Sequence, residues 1–199
     1  MKKSTLILSL AVAALGFSAF TSVSNNDAND GATKSIIHWT GSKVVGGEHT
    51  GTILVKQTNL EFSKGELKGG NIVADMTSIT DTDLEGEWNT KLVGHLNSDD
   101  FFSTAKHPTS TIKITKISKG KVANTYNVVA DLTIKGNTNS ESFTATVVEN
   151  GSNYIVTANV NINRTKYDVR YGSSSFFDDL GDKAISDEFN LNVTIVTSK

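Results

Sequence analysis

Hydrophobic and polar side chains alternate with a period of two over most of the chain. Tyr126, Val128, Ala130, Leu132 and Ile134 fall on one face of an extended segment, while Asn127, Asp131, Thr133 and Lys135 fall mostly on the other. Successive strand side chains point to opposite faces, so this alternation predicts a strand buried on one side. The pattern recurs at Phe143, Ala145 and Val147, along Tyr154 to Ile162, and along Phe189 to Ile195. Earlier strands are expected over residues 36–45, 51–57, 60–63, 70–79 and 109–117. Gly46-Gly47, Lys64-Gly65, Gly136-Asn137 and Asn150-Gly151 separate several of these runs. Such pairs reach the positive φ that tight hairpins demand. Eight or nine strands with short connections predict antiparallel neighbours in a meander.

One segment breaks the alternation. Leu84, Trp88, Leu92 and Leu96 recur every four residues, with Val93 beside them, and predict an amphipathic helix over 84–96. Thr82 and Glu85 have capping-box spacing at its start, and Asn97-Ser98 is expected to end it. A helix of this kind must lay its apolar face on a sheet or across a barrel mouth. A second irregular stretch, residues 164–183, is too long for a hairpin turn, and ordered loops of that length are often functional.

The first residues read as processing rather than fold. Lys2 and Lys3 precede an uncharged apolar run over 6–20, and small residues follow at Thr21-Ser22-Val23-Ser24. That order predicts a secretory signal over residues 1–24, with a retained anchor as the alternative. The run is short of the ~20 apolar residues of a membrane span, so no stable span is expected after processing. Residues 25–34 are polar and read as a flexible leader, which leaves 35–199 as the folded domain. A periplasmic or secreted location follows.

Composition narrows the chemistry. The 199 residues carry 19 Lys and Arg against 21 Asp and Glu, a formal net charge of −2, which argues against a nucleic-acid partner. Cys is absent, which excludes disulfides, thiolate metal ligands, a thiol nucleophile and an acylated lipoprotein anchor. His38, His49, His95 and His107 show no metal-helix spacing, and no metal or other cofactor is expected. The acidic pairs Asp99-Asp100, Asp178-Asp179 and Asp81/Asp83 read as loop caps, and Ser173-Ser174-Ser175 lacks a nucleophile elbow, so no catalytic residue is assigned.

Arg164 and Arg170 are the only two arginines, and they lie in the irregular stretch with Lys166, Tyr167 and Tyr171. Arg binds phosphate and carboxylate bidentately, so Arg164, Arg170, Tyr167 and Tyr171 are headgroup candidates if this loop rims a cavity. The alternative is structural, with Arg164 in a buried salt bridge to an Asp within 178–187. Eight strands can close around packed side chains or one small ligand, and a chain this long either packs as a sandwich or keeps a cavity. The inward set is aliphatic and aromatic, so it either fills a core or lines an apolar cavity.

The ordered series of motifs resembles the YceI-like family of exported, lipocalin-like, polyisoprenoid-binding proteins. The matching pieces are Trp39-Thr40-Gly41-Ser42-Lys43, Gly46-Gly47-Glu48-His49-Thr50-Gly51 and Asp75-Met76-Thr77-Ser78-Ile79. They continue with His95-Leu96-Asn97-Ser98-Asp99-Asp100-Phe101-Phe102, His107-Pro108 and Leu132-Thr133-Ile134-Lys135-Gly136. Ile162-Asn163-Arg164-Thr165 and Ile185-Ser186-Asp187-Glu188-Phe189 complete the set. The chain departs from the commonest pattern at Tyr167-Asp168, where many members carry an aromatic-Gly pair, and residues 173–183 replace a shorter loop.

The resemblance implies an all-β fold, an extended antiparallel lipocalin-like barrel of about eight strands with one amphipathic helix near 84–96. Its apolar channel would hold a long amphiphilic chain, such as a polyisoprenoid or an isoprenoid quinone, for storage or transport without catalysis. Channel candidates are Trp39 on the first strand and Trp88, Leu92, Phe101 and Phe102 on the helix and the segment after it. On the later strands they are Tyr126, Val128, Phe143, Val156, Phe189 and Leu191. Two rival readings stand beside this one: a hydrolase using His95 or His107 with a carboxylate, and an interaction module with a filled core and a binding loop at 164–183. A homodimer is compatible with exposed sheet edges.

Overall fold

The computed structural model describes residues 35–199. The signal and leader segments expected over 1–24 and 25–34 lie outside the described residues. Among the described residues eight strands form one closed antiparallel barrel in simple up-and-down order. They are β1 (Ile36–Lys43), β2 (Glu48–Ser63), β3 (Glu66–Asp81), β4 (Thr109–Lys119), β5 (Thr125–Ile134), β6 (Asn137–Asn150), β7 (Asn153–Asn163) and β8 (Ile185–Ser198). The one α-helix among the described residues, α1 (Gly86–Asn97), lies between β3 and β4. Closure is made by β1 on β8, with Ile37 opposite Val193 and Trp39 opposite Leu191. A closed sheet has no free edge on which further strands could add.

The strand boundaries differ from the periodicity in an instructive way. The runs at 51–57 and 60–63 are one strand, β2. A register shift between Val55 and Gln57 changes the phase, so inward positions pass from Ile53 and Val55 to Leu60 and Phe62. A bulge of this kind breaks period two without ending the strand. The inward residues pack as one cluster through the barrel, from Phe62 stacked on Tyr154 at 3.9 Å to Phe102 edge-on to Phe189 at 6.5 Å.

The up-and-down order puts α1, the 98–108 segment, residues 164–184 and the β1–β2 and β5–β6 turns at one end of the barrel. The helix begins two residues later than expected, and the capping box is not made: Glu85 takes the N-cap position without a side-chain bond. Gly86 has φ +58, so the chain enters α1 through a left-handed turn and residues 82–85 never form its first turn. The Thr82 hydroxyl instead donates to the Thr50 carbonyl at 3.2 Å.

The helical stripe also needs correction. Leu96 is buried and Leu92 packs against the core, but Trp88 is 69 % exposed. A four-residue repeat advances about 40° per step around a helix of 3.6 residues per turn. Two steps from Leu96, the indole has therefore rotated off the packed face, where Lys91 lies over it at 4.9 Å.

Candidate functional site

The barrel encloses a cavity of about 130 Å³. Its wall is drawn from all eight strands, with Ile53, Met76, Ile114, Leu132, Ala145, Val160 and Ile195 among the lining residues. Ser110, Thr111 and Glu141 are the polar side chains in a wall that is otherwise aliphatic or aromatic. One enclosed water needs ~10–15 Å³ of such room and two to four polar partners. The space is thus on the order of ten water positions, few of which find a hydrogen bond. The filled-core reading required a solid interior, and this interior is not solid.

Six of the channel candidates line the cavity: Phe102, Val128, Phe143, Val156, Phe189 and Leu191. The other five do not. Trp39 is buried against the start of β2 and the end of β3, where its indole N–H donates to the Thr80 carbonyl at 3.0 Å. Phe101 is buried outside the lining, with the Arg164 guanidinium 5.7 Å from its ring centre and His95 edge-on at 5.6 Å. Tyr126 is buried at the first inward position of β5, by the barrel end away from α1. Leu92 packs from the helix side, and Trp88 faces solvent.

The headgroup candidates divide similarly. Arg164 opens a 3-10 turn (Arg164–Tyr167) and is 2 % exposed. Its guanidinium donates to four backbone carbonyls: Ser186 at 2.8 Å, Val169 at 3.0 Å, Tyr171 at 2.8 Å and Ile185 at 3.0 Å. An Asp187 carboxylate oxygen lies 3.6 Å from the same group. With its donors so committed, Arg164 fastens the 164–184 segment to the start of β8 rather than facing a ligand. Tyr167 is fully buried and donates to Glu141 at 2.9 Å. Burial, reinforced by this carboxylate, pushes its phenol above the ordinary value. Arg170 is exposed and pairs with Asp168 at 2.7 Å. Arg170 and Tyr171 line a surface cleft with Asp100, Lys135, Asp168 and Phe177 at the α1 end.

Glu141 escaped the sequence reading. It touches the cavity, accepts from Tyr167 and lies 3.4 Å from Lys166 Nζ. The signal was present, because Glu141 continues the inward phase of Phe143, Ala145 and Val147 along β6. An acidic residue in an apolar phase marks a buried carboxylate that needs partners.

The hydrolase reading required a histidine and a carboxylate within reach in a cleft. Among the described residues neither His95 nor His107 has a carboxylate in ion-pair range. His95 is wedged between Phe101 and Tyr171, the latter at 4.3 Å, and its buried Nε2 has no hydrogen-bond partner. The His107 ring packs by the β5–β6 turn, where a Cβ on Gly136 would come within 3.1 Å of it. No helix among the described residues is long and apolar enough to cross a membrane.

The fold is shared with solved structures of low identity. The BcnA protein of Burkholderia cenocepacia superposes with a TM-score of 0.65 at 20% identity, covering 84% of this chain and 98% of that one. A polyisoprenoid binding domain from Saccharophagus degradans gives 0.60 at 17% identity, over 84% of this chain and 96% of that chain. The YceI protein of Campylobacter jejuni gives 0.56 at 19% identity, over 72% and 80%. A search of curated proteins found no match. The model of the YceI-like domain matches residues 23–197, nearly the whole chain, and with the closed barrel and its apolar cavity this shows that the protein belongs to the YceI-like family.

Proposed function

We propose that this protein binds the apolar chain of an amphiphilic lipid, a polyisoprenoid, an isoprenoid quinone or a related molecule, inside the barrel, and carries or stores it without catalysis. The observation that carries the reading is the cavity: enclosed by strands on every side and almost wholly apolar in its wall. Moving apolar surface out of water contributes about 25 cal/mol per Å², or ~0.8 kcal/mol per methylene, so a chain of several carbons binds here without any polar contact. The cavity holds on the order of ten such carbons. A longer chain must project from an end of the barrel or widen it.

The polar end of such a ligand belongs at the α1 end. Arg170 and Tyr171 line a cleft there and keep exposed polar atoms, whereas Arg164 and Tyr167 are occupied by backbone and by Glu141. The signal-like residues 1–24 support export to the periplasm or beyond. The Saccharophagus protein named above is a polyisoprenoid binding domain of the same fold, which agrees with this ligand class.

Mass spectrometry of an organic-solvent extract of the natively purified protein tests the reading. The expected result is a stoichiometric long-chain lipid, which is absent from an extract of a cavity-filled variant. An extract free of any chain, together with no saturable uptake of added quinone or polyprenyl lipid, overturns it.

A further inference from the structure

Outside the cavity, at the α1 end, three side chains from separate places in the sequence meet. His49 lies at the start of β2, Asp81 ends β3 and Asp83 follows in the turn before α1. Each presents one potential ligand atom, and these atoms all lie within 4.8 Å of one another. His49 Nδ1 is hydrogen-bonded to Asp83 Oδ2 at 2.9 Å. The other Asp83 oxygen accepts from the Thr50 amide at 2.6 Å, which fixes the carboxylate against β2.

Asp81 supplies the independent observation. It is 7 % exposed, and its Oδ1 accepts from the Leu84 amide at 2.8 Å and from Asn89 Nδ2 at 3.0 Å. Its Oδ2 is buried with no hydrogen-bond partner. A buried carboxylate oxygen left without a donor is costly, and a second carboxylate beside it adds repulsion. A cation between the two removes both penalties. The imidazole selects the kind of cation: Mg²⁺ and Ca²⁺ take oxygen ligands, whereas an N and O set suits zinc and its first-row neighbours.

We propose that His49, Asp81 and Asp83 form a binding site for a divalent transition-metal ion of the zinc class. Zinc lies ~2.0–2.2 Å from such ligands in a tetrahedron, which sets them roughly 3.4 Å apart. No pair therefore has to close by more than about 1.4 Å, a side-chain adjustment that the partly exposed His49 and Asp83 can make. The fourth position faces solvent, since His49 and Asp83 are 41% and 33% exposed in their side chains. Bound there, the ion clamps the start of β2 to the end of β3 and to the entry of α1.

The test is calorimetric titration of the chelator-stripped full chain with ZnCl₂ at neutral pH, with MgCl₂ and CaCl₂ as controls. One zinc per chain is expected, with far weaker uptake of the other two. His49→Gln and Asp83→Asn should each weaken zinc about tenfold or more. Both variants keep a polar partner for the groups they touch, and circular dichroism confirms that they fold. Asp81→Asn is a poorer probe, because Asp81 also holds the Leu84 amide. Absence of saturable zinc uptake overturns the proposal. A zinc site that survives unchanged in either variant, or equal binding of Mg²⁺ or Ca²⁺, overturns it as well.

Discussion

The hydroxyl of Tyr167 donates to a carboxylate oxygen of Glu141 at 2.9 Å, and this bond joins the segment after β7 to the cavity wall. Tyr167 is fully buried and Glu141 is 12% exposed in its side chain. Tyr167→Phe keeps the ring and removes the donor, leaving Glu141 with Lys166 alone. The expected cost is about 1–2 kcal/mol, read as a lower denaturation midpoint in urea with an unchanged slope.

Arg164 and Arg170 are predicted to separate cleanly. Arg164→Met strands four buried or partly buried carbonyls and is expected to destabilise by about 3 kcal/mol or more. Arg164→Lys does not rescue it, because an ammonium cannot reproduce the planar fork. Arg170→Ala removes an exposed pair with Asp168 and is expected to stay within ~0.5 kcal/mol of the parent. Thermal melts of the three variants check this, and equal losses at both arginines would refute the assignment.

The acid limb of stability is expected to involve Asp187. Burial by itself raises its pKa, but the hydroxyls of Ser173 and Ser175 and the charge of Arg164 outweigh it, and the folded carboxyl titrates below its ordinary value. A carboxyl depressed on folding contributes stability above its unfolded pKa of ~3.9 and loses it as pH falls through the folded value. Stability should therefore drop below about pH 4, and Asp187→Asn should make that drop shallower. Denaturation curves between neutral pH and pH 3 measure it; an unchanged acid limb in the variant would argue against this role.

Gly51 is a steric position. A Cβ there would lie 1.8 Å from the Thr80 carbonyl oxygen and 2.6 Å from the Trp39 ring. Gly51→Ala is expected to cost about 3 kcal/mol or more, and shortening Trp39 should not restore it, because the nearer obstacle is backbone. Melting temperatures of the single and double variants decide the point.

Filling the cavity should abolish ligand uptake while preserving the barrel. Ala158 lines the space with a small side chain. Ala158→Trp is expected to remove at least about nine-tenths of the uptake of a fluorescent long-chain lipid, with far-UV dichroism unchanged. Undiminished uptake would place the ligand elsewhere.

Much of the architecture could be read from residue order because the signals are local. Period-two alternation marked β5, β7 and β8, and Gly-containing turns marked the hairpins. The four-residue stripe located α1 to within two residues, yet it misplaced Trp88, whose direction depends on how the helix is seated. Val128, Phe143, Val156, Phe189 and Leu191 could be named from alternation because an inward phase and a cavity wall are the same set in a closed barrel, whereas Phe102, which lies between α1 and β4, came from the family resemblance. Phe101 and Tyr126 are buried outside the lining, and burial alone does not distinguish the wall of a cavity from a filled layer beside it.

The sequence by itself determined the all-β class, the antiparallel meander and the family resemblance, since hydrophobic phase, turn chemistry and motif order are written along the chain, while the count of eight strands was settled by the structure. The tertiary structure alone decided that the interior stays hollow and that Arg164 is consumed by carbonyls at 2.8–3.0 Å. It also decided that His49 meets Asp81 and Asp83. Most of these contacts join residues more than twenty apart in sequence, fixed by how the closed barrel brings its strands and end segments together, and no local pattern encodes their distances.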